Sequence, residues 1–402
     1  MSSQPIILRP LPPKIGDLAL ANDVAVSAPS RGTPANAARF LGAWIGFWGD
    51  NLPHLLVVER VADDGTAQAL YAIGDAPAWK ISRMSTRLSG AVHADRLTLE
   101  SSRAHIDYEW NAKGFLVGRY TLPDGSLAIG VLEPIALEDL SDADRLVPHP
   151  VLGERVRIPH RSVMLTDSSR PIELEATLYP AAGTDPAPLA IINHGSTGNH
   201  TVDPRKTFRH EAEALWLHEQ GFTVLVPMRR GRGASEGVFT EEQNFEDPRP
   251  GLEDALDDLA SAVAYGRSLP SVRKRPLLLL GQSRGGFLSI IFAARDPDTV
   301  GGVISFAGGW IGESRYSTGE FNAEALVEAA PRTRTPQLWL YGERDSYYGV
   351  EHIRANHAAF VRAGGRAQLE IFSVPGDGHS LMRFPFLWRP HADAYLQRTF
   401  SP

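Results

Sequence analysis

The chain has 402 residues, of which 43% are apolar and 22% charged; that is ample for two globular domains. Its 47 Asp and Glu against 40 Lys and Arg leave a net charge of −7, the opposite of the basic excess that nucleic-acid binding shows. The absence of cysteine excludes disulfides, a thiolate nucleophile and Cys-based zinc sites together, and no run of about 18 apolar residues suggests a membrane span.

The first residues, Met1-Ser2-Ser3-Gln4-Pro5, lead into a short apolar Ile6-Ile7-Leu8 and then Pro10, Pro12 and Pro13. That pattern is too short for the core of a signal peptide, so a cytoplasmic protein is expected. Residues 1–35 are rich in Pro, Ser and Ala and read as an extended arm. From 36 to 137 the texture is β. Leu55-Leu56-Val57-Val58-Glu59, Gln68-Ala69-Leu70-Tyr71-Ala72-Ile73 and Arg96-Leu97-Thr98-Leu99 are short strand-like runs, and Asp64-Gly65 and Asp124-Gly125 are hairpin signals between such runs. The spacing predicts a small antiparallel barrel or sandwich. The opening Gly42-Ala43-Trp44-Ile45-Gly46-Phe47-Trp48-Gly49 resembles the aromatic first strand of lipocalin-like barrels, with Trp44 and Trp48 as core residues. Residues 138–159, with clustered acids and then Pro148, Pro150 and Pro159, read as a linker.

From 160 to 402 strands and helices alternate. Ile172 to Tyr179 has period two, as an antiparallel lead-in strand would. Leu189-Ala190-Ile191-Ile192 is continuously apolar, which suits a strand buried on both faces. A helix over 207–220 is closed by Gly221. Strands at 222–226, 276–280, 302–306, 337–341 and 369–374 alternate with helices at 252–267, 287–294, 351–363 and 390–399. This β/α alternation predicts a mostly parallel sheet covered by helices on both faces.

The segment Leu277-Leu278-Leu279-Leu280-Gly281-Gln282-Ser283-Arg284-Gly285-Gly286 fits Gly-x-Ser-x-Gly, with a strand before it and a helix after it. Glycines at 281 and 285 let the chain turn sharply and push the Ser283 hydroxyl out at the sheet edge. The helix start behind it offers free N–H groups and positive potential to a developing oxyanion. Three further segments accompany it: Asn193-His194-Gly195-Ser196-Thr197-Gly198, Pro227-Met228-Arg229-Arg230-Gly231-Arg232-Gly233-Ala234-Ser235-Glu236-Gly237, and Gly342-Glu343-Arg344-Asp345. With these, residues 160–402 resemble α/β-hydrolases of the dienelactone-hydrolase and prolyl-oligopeptidase-like branch.

The resemblance implies a triad in the chain order Ser, acid, His. Only His352, His357, His379 and His391 follow Ser283. His379 lies in the Gly-rich loop Val374-Pro375-Gly376-Asp377-Gly378-His379-Ser380, directly after the last strand, whereas the other three fall on predicted helices. Asp345 matches the family's acid position; a helix N-cap is its other reading. Glu343 is two residues too early, and Asp377 suits a turn. The oxyanion hole would be the backbone N–H of Arg284 and that of Ser196, with Gly195 beside it and His194 shaping the loop.

Arg284 also has two readings for its side chain: a clamp on a substrate carboxylate, or an internal salt bridge to Glu236 or to the loop of Asp345. Arg229, Arg230 and Arg232 are read as bracing the turn that follows the fourth strand. Trp310 and Tyr316 are substrate-binding candidates, Trp310 with core packing as its alternative, and the segment 311–330 is a candidate lid. The reaction expected is hydrolysis of a small-molecule carboxylic ester, with an amide or peptide as the same-class alternative and a non-catalytic binding protein as the alternative of another class. No metal or organic cofactor is called for, nor a nucleic-acid or membrane partner. Substrate binding, shaping of the entrance and formation of a homodimer are the roles open to the front domain.

Overall fold

The computed structural model describes residues 13–49, 52–76, 81–165, 170–196, 205–242, 247–312 and 319–400. The chain divides into two compact units, Met1–Leu152 and Gly153–Pro402.

The first unit is a closed barrel of eight antiparallel strands. They are β1 (Gly42–Trp48), β2 (Leu52–Val61), β3 (Thr66–Ile73), β4 (Met84–His93), β5 (Arg96–Leu99), β6 (His105–Trp110), β7 (Leu116–Thr121) and β8 (Leu127–Ile135). β1 pairs with both β2 and β8, which closes the ring. Both Asp-Gly turns sit where the sequence places them: Gly65 (φ 85°) joins β2 to β3, and Gly125 (φ 81°) joins β7 to β8.

Alternation sorts the side chains. Trp44, Trp48, Leu56 and Val58 point into one core with Tyr108 and Leu132, while Ala43, Ile45, Phe47, Leu55 and Val57 form a second cluster on the other face. The inner core is filled. A Cβ on Gly118 or Gly130 would stand 2.6 Å from the Trp48 ring, so these glycines are what let the indole lie across β7 and β8. His54 is buried beneath it, with Nδ1 bonded to the Ala72 carbonyl at 2.9 Å and Nε2 to the Tyr108 hydroxyl at 2.8 Å. Burial pushes the His54 imidazole down to about 3, so it is neutral.

Two boundaries differ from the sequence reading. The arm expected over 1–35 is packed from Ile15 onward. Ile15–Asp17 form a 3-10 turn, α1 spans Ala35–Ala38, and Ile15 and Leu18 are buried against Ile45, Phe47 and Val57. The outer face of β1–β3 is apolar and needs this cover. The linker expected over 138–159 is structured at both ends, by a 3-10 helix at Leu137–Ser141 and by strand β9 (Glu154–Met164). Pro159 lies inside β9, which is tolerated because β9 is the last strand of its sheet.

The second unit is an eight-stranded sheet in the order β16-β15-β14-β13-β11-β12-β10-β9. Its strands are β9, β10 (Pro171–Tyr179), β11 (Leu189–Asn193), β12 (Thr223–Pro227), β13 (Leu277–Gln282), β14 (Val300–Phe306), β15 (Gln337–Gly342) and β16 (Ala367–Phe372). β10 runs antiparallel to both β9 and β12; the other six strands are parallel. The helices are α2 (Glu211–Glu219), α3 (Arg249–Ser268), α4 (Arg284–Arg295), α5 (Gly319–Ala329), α6 (Val350–Arg362) and α7 (Pro385–Phe400).

One face of the sheet packs on α3, α4, α5 and α6. On the other, Trp216 of α2 meets Trp388 of α7 edge-on at 5.0 Å, and Trp388 meets Phe306 of β14 at 5.1 Å. Leu277, Leu278, Leu279 and Leu280 of β13 are fully buried between these layers. At about 1.5–3 kcal/mol for each buried leucine, they anchor the strand that carries the site. Among the described residues no helix is long and apolar enough to cross a membrane.

Candidate active site

β13 ends at Gln282 and α4 begins at Arg284, so Ser283 alone makes the turn. Its backbone stands at φ 54°, ψ −122°, a region that costs a non-glycine residue about 1–3 kcal/mol. The surroundings impose it. The Ser283 N–H donates to the Phe306 carbonyl at 2.8 Å, and the Ser283 carbonyl accepts from Phe287 N–H at 3.0 Å and Gly309 N–H at 3.2 Å. The flanking glycines permit it. A Cβ on Gly281 would lie 2.3 Å from the Gly285 carbonyl, and one on Gly285 would lie 2.1 Å from the Asn193 oxygen. The side chain is thereby presented at the C-terminal edge of the parallel strands, in the middle of the sheet.

Asp345 follows β15 and His379 follows β16. His379 Nδ1 lies 3.0 Å from each oxygen of the Asp345 carboxylate. A carboxylate only accepts, so Nδ1 carries the proton and Nε2 keeps its lone pair. Asp345 Oδ1 also accepts the N–H of Tyr347 at 2.8 Å and of Tyr348 at 3.2 Å, so turn-making and imidazole contact coexist in one residue. Asp377 accepts from Ser346 and from His379 N–H, the work of a turn residue. The Gln282 amide donates to the His379 carbonyl at 3.1 Å, which ties the histidine loop to the strand end next to Ser283. Of the other late histidines, His352 bonds Asn356 and His357 bonds the Ala367 carbonyl, both on α6, and His391 lies on α7 beside Glu370.

The loop after β11 reaches the nucleophile from the opposite side. A Cβ on Gly195 would be 3.3 Å from Ser283 Cβ. His194 Nε2 accepts the Arg229 N–H at 3.1 Å, so its Nδ1 is the protonated nitrogen and donates to the Gly195 carbonyl at 2.7 Å. Burial, then the charge of Arg229, push this imidazole well below its usual range, which leaves it a neutral structural group. The Arg229 guanidinium donates to the carbonyls of His194 (2.8 Å) and Gly195 (3.2 Å) and pairs with buried Glu241. Burial alone would raise the Glu241 carboxyl, but Arg229, with Arg284 and Arg232, holds it below its ordinary value. Ser196 ends this described stretch.

Residues 174–384, just over half of the chain, match the family described as the dienelactone hydrolase family. The chain belongs to the dienelactone hydrolase family. Among curated proteins, the uncharacterized protein YfhR of Salmonella typhimurium is 34% identical over 93 residues, which cover 23% of this chain and 26% of that protein. Among solved structures, the Pyrococcus furiosus esterase Pf2001 aligns with a TM-score of 0.46 at 15% identity, over 62% of this chain and 91% of its own. Est1E from Butyrivibrio proteoclasticus aligns at 0.43 and 15%, over 61% and 98%. Acetyl xylan esterase 1 from Thermoanaerobacterium sp. aligns at 0.42 and 16%, over 78% and 87%.

In this dienelactone hydrolase family member the Arg284 side chain is buried, with 9% exposure. Its guanidinium donates to the Trp310 carbonyl at 3.0 Å and to Glu242 at 3.1 Å, with Glu241 at 3.5 Å. The internal salt bridge therefore exists, but with Glu241 and Glu242. Glu236 instead pairs with Arg170. Arg230 binds Asp254 and Asp258, and Arg232 lies over the Phe239 ring.

Trp310 is packed in the unit's core at 1% exposure, next to Phe287. Tyr316, the other pocket candidate, lies outside the described residues. The proposed lid is corrected over its described part: α5 buries Phe321, Ala325, Leu326 and Ala329 in the core, and Asn322 clamps the backbone of Trp310 and Ile311. A helix with an apolar face on the core is a wall. Among the described residues no cluster of His, Asp or Glu is arranged to hold a metal ion.

Proposed function

We propose that this protein is a serine hydrolase that cleaves carboxylic esters through an acyl-enzyme on Ser283, with His379 as base and Asp345 as its orienting acid. The observation that carries the reading is the combination of a serine held at positive φ on a strand-to-helix turn with an aspartate–histidine pair on the next loops of the same sheet edge. A serine hydroxyl is a poor nucleophile until a base takes its proton, and His379 Nε2 has the free lone pair to do so. The family's name is a second support, since a lactone is an internal ester.

In the proposed cycle His379 Nε2 takes the Ser283 proton as Oγ bonds the carbonyl carbon. The oxyanion is held by the N–H groups of Arg284 and Ser196, with Gly195 allowing close approach. Arg284 N–H stands in the first turn of α4, where no intrahelical acceptor exists. Collapse of the tetrahedral species expels the alkoxide, which receives the proton from His379. Water then enters, gives its proton to the same nitrogen, and releases the acid. Asp345 stays ionised and stabilises the imidazolium. Since the guanidinium of Arg284 is occupied within the protein, its role here is that of its backbone.

Labelling with a fluorophosphonate tests this reading: wild-type protein should be modified at Ser283, and Ser283→Ala should lose both labelling and turnover of a p-nitrophenyl ester, by about 10⁴-fold or more. A wild-type protein that resists the reagent would favour the binding-protein alternative. Comparison of p-nitrophenyl esters with the matching anilides sorts esterase from amidase.

A further inference from the structure

Tyr347 packs against the base of the proposed triad and is still open to solvent, and no step above uses it. Its backbone N–H donates to Asp345 Oδ1 at 2.8 Å, which fixes where the side chain leaves the loop after β15. Its ring lies on the His379 imidazole, with centroids 4.5 Å apart and planes tilted by 45°. The ring also reaches the loop after β14, where a Cβ on Gly312 would stand 3.3 Å from Tyr347 Cδ1. That loop is tied to the nucleophile, because the Gly309 N–H donates to the Ser283 carbonyl at 3.2 Å. Tyr347 is nonetheless 38% exposed, whereas its neighbour Tyr348 is 3% exposed.

An aromatic ring held open to water gains free energy when a planar apolar group covers it. The position of this ring says which part of an ester would do so. In the tetrahedral species the central carbon is bonded to Ser283 Oγ and its oxyanion faces the N–H groups of Arg284 and Ser196. Its leaving oxygen has to come within hydrogen-bond reach of His379 Nε2, about 2.6–3.2 Å, to receive the proton. The substituent on the leaving oxygen is therefore the part of the substrate nearest the imidazole, and the exposed ring packed on that imidazole belongs to Tyr347. We propose that Tyr347 is a specificity-determining residue, whose ring receives the alcohol side of the substrate and favours esters of aromatic alcohols. The inference rests on the serine-hydrolase reading and narrows its substrate class.

The placement sets a kinetic signature. A ring that receives the alcohol side acts on kcat/KM only for substrates that carry an aromatic group there. It acts on acylation alone, because the alcohol has left before the acyl-enzyme meets water. A ring that only holds His379 in place would act on every ester alike and on both steps, since the same imidazole serves both.

The test compares three esters: benzyl acetate, its isomer methyl phenylacetate, which carries the ring on the acyl side, and ethyl acetate, which has none. Wild type should prefer benzyl acetate to ethyl acetate. In Tyr347→Ala, kcat/KM for benzyl acetate should fall by about tenfold, the worth of one aromatic contact and its burial, while the other two esters stay near wild type. The acetyl-enzyme, formed with p-nitrophenyl acetate and followed through a single turnover, should lose its acetyl group at the wild-type rate. Tyr347→Phe, which keeps the ring and loses only the hydroxyl, should retain the preference. Counting sites by fluorophosphonate end-point titration keeps misfolded protein out of the rates. If Tyr347→Ala slows all three esters alike, or slows deacylation as well, the ring only buttresses His379 and the proposal is overturned. A loss of preference in Tyr347→Phe would assign the effect to the hydroxyl and overturn it too. A wild type that reacts with fluorophosphonate at Ser283 yet takes ethyl acetate as readily as benzyl acetate overturns this inference alone; one that resists the reagent overturns the serine-hydrolase reading and this inference together.

Discussion

Glu236 illustrates how single charges tune this molecule without entering its chemistry. The Arg170 guanidinium beside it, helped by the Glu173 N–H, pulls its carboxyl down to about 2. A carboxyl whose folded value lies below its unfolded one stabilises the fold at neutral pH, and that stabilisation is lost as pH falls from about 4.5 towards about 2. The pair is largely open to solvent, so its worth is about 1 kcal/mol or less. Thermal unfolding of Glu236→Gln should show a slightly lower midpoint than wild type at pH 7, and the two curves should converge near pH 2. The same scale separates what the sequence discloses from what it hides. Ser283 and His379 stand in local signatures, a glycine-framed turn and a Gly-rich loop after a strand. The partners of Arg284 do not, because Glu241 and Glu242 lie some 42 positions upstream and nothing local marks them as its counter-ions.

At the scale of elements, the elbow depends on how closely β13, α4 and the end of β11 can approach. Gly285→Ala would place a methyl 2.1 Å from the Asn193 oxygen and 2.5 Å from that of His194. Neither backbone can yield without moving the nucleophile or the oxyanion loop. The expected cost is about 1–3 kcal/mol of stability with near-complete loss of esterase activity, read by chemical denaturation and p-nitrophenyl ester turnover. Gly221→Ala is the control. Gly221 closes α2 at φ 84° with open space around it, so alanine should cost about 1 kcal/mol and leave activity unchanged. Most elements were legible because apolar runs and periodicity mark them, and every strand from β10 to β16 falls within a few residues of its expected place. β9 was missed because Pro159 sits inside it. A proline argues against a strand unless that strand is known to be at an edge, and edge position is a fact of topology, not of local sequence. The packed segment after Ile15 was missed for a related reason: the surface that its apolar residues cover is not visible from the segment itself.

For the molecule as a whole, acid is the condition that the buried histidines report. His54 in the barrel and His194 in the catalytic unit are both buried and neutral. An imidazole whose folded value is depressed takes up its proton only on unfolding, so stability is lost as pH falls below about 6.5 and the loss continues towards the folded value. Hydrogen exchange should therefore show both units opening more readily at pH 5 than at pH 7. In His54→Asn the barrel strands should lose part of that pH dependence while the strands around His194 retain it. The sheet has a further property at its outer end. An open strand edge is a template on which a second chain can add a strand of its own, the first step toward fibrous deposits. Pro159 removes an N–H donor from β9 and places a ring there, so strand addition at that end is interrupted midway. A residue that obscured the strand in the sequence thus acts as a guard against self-assembly.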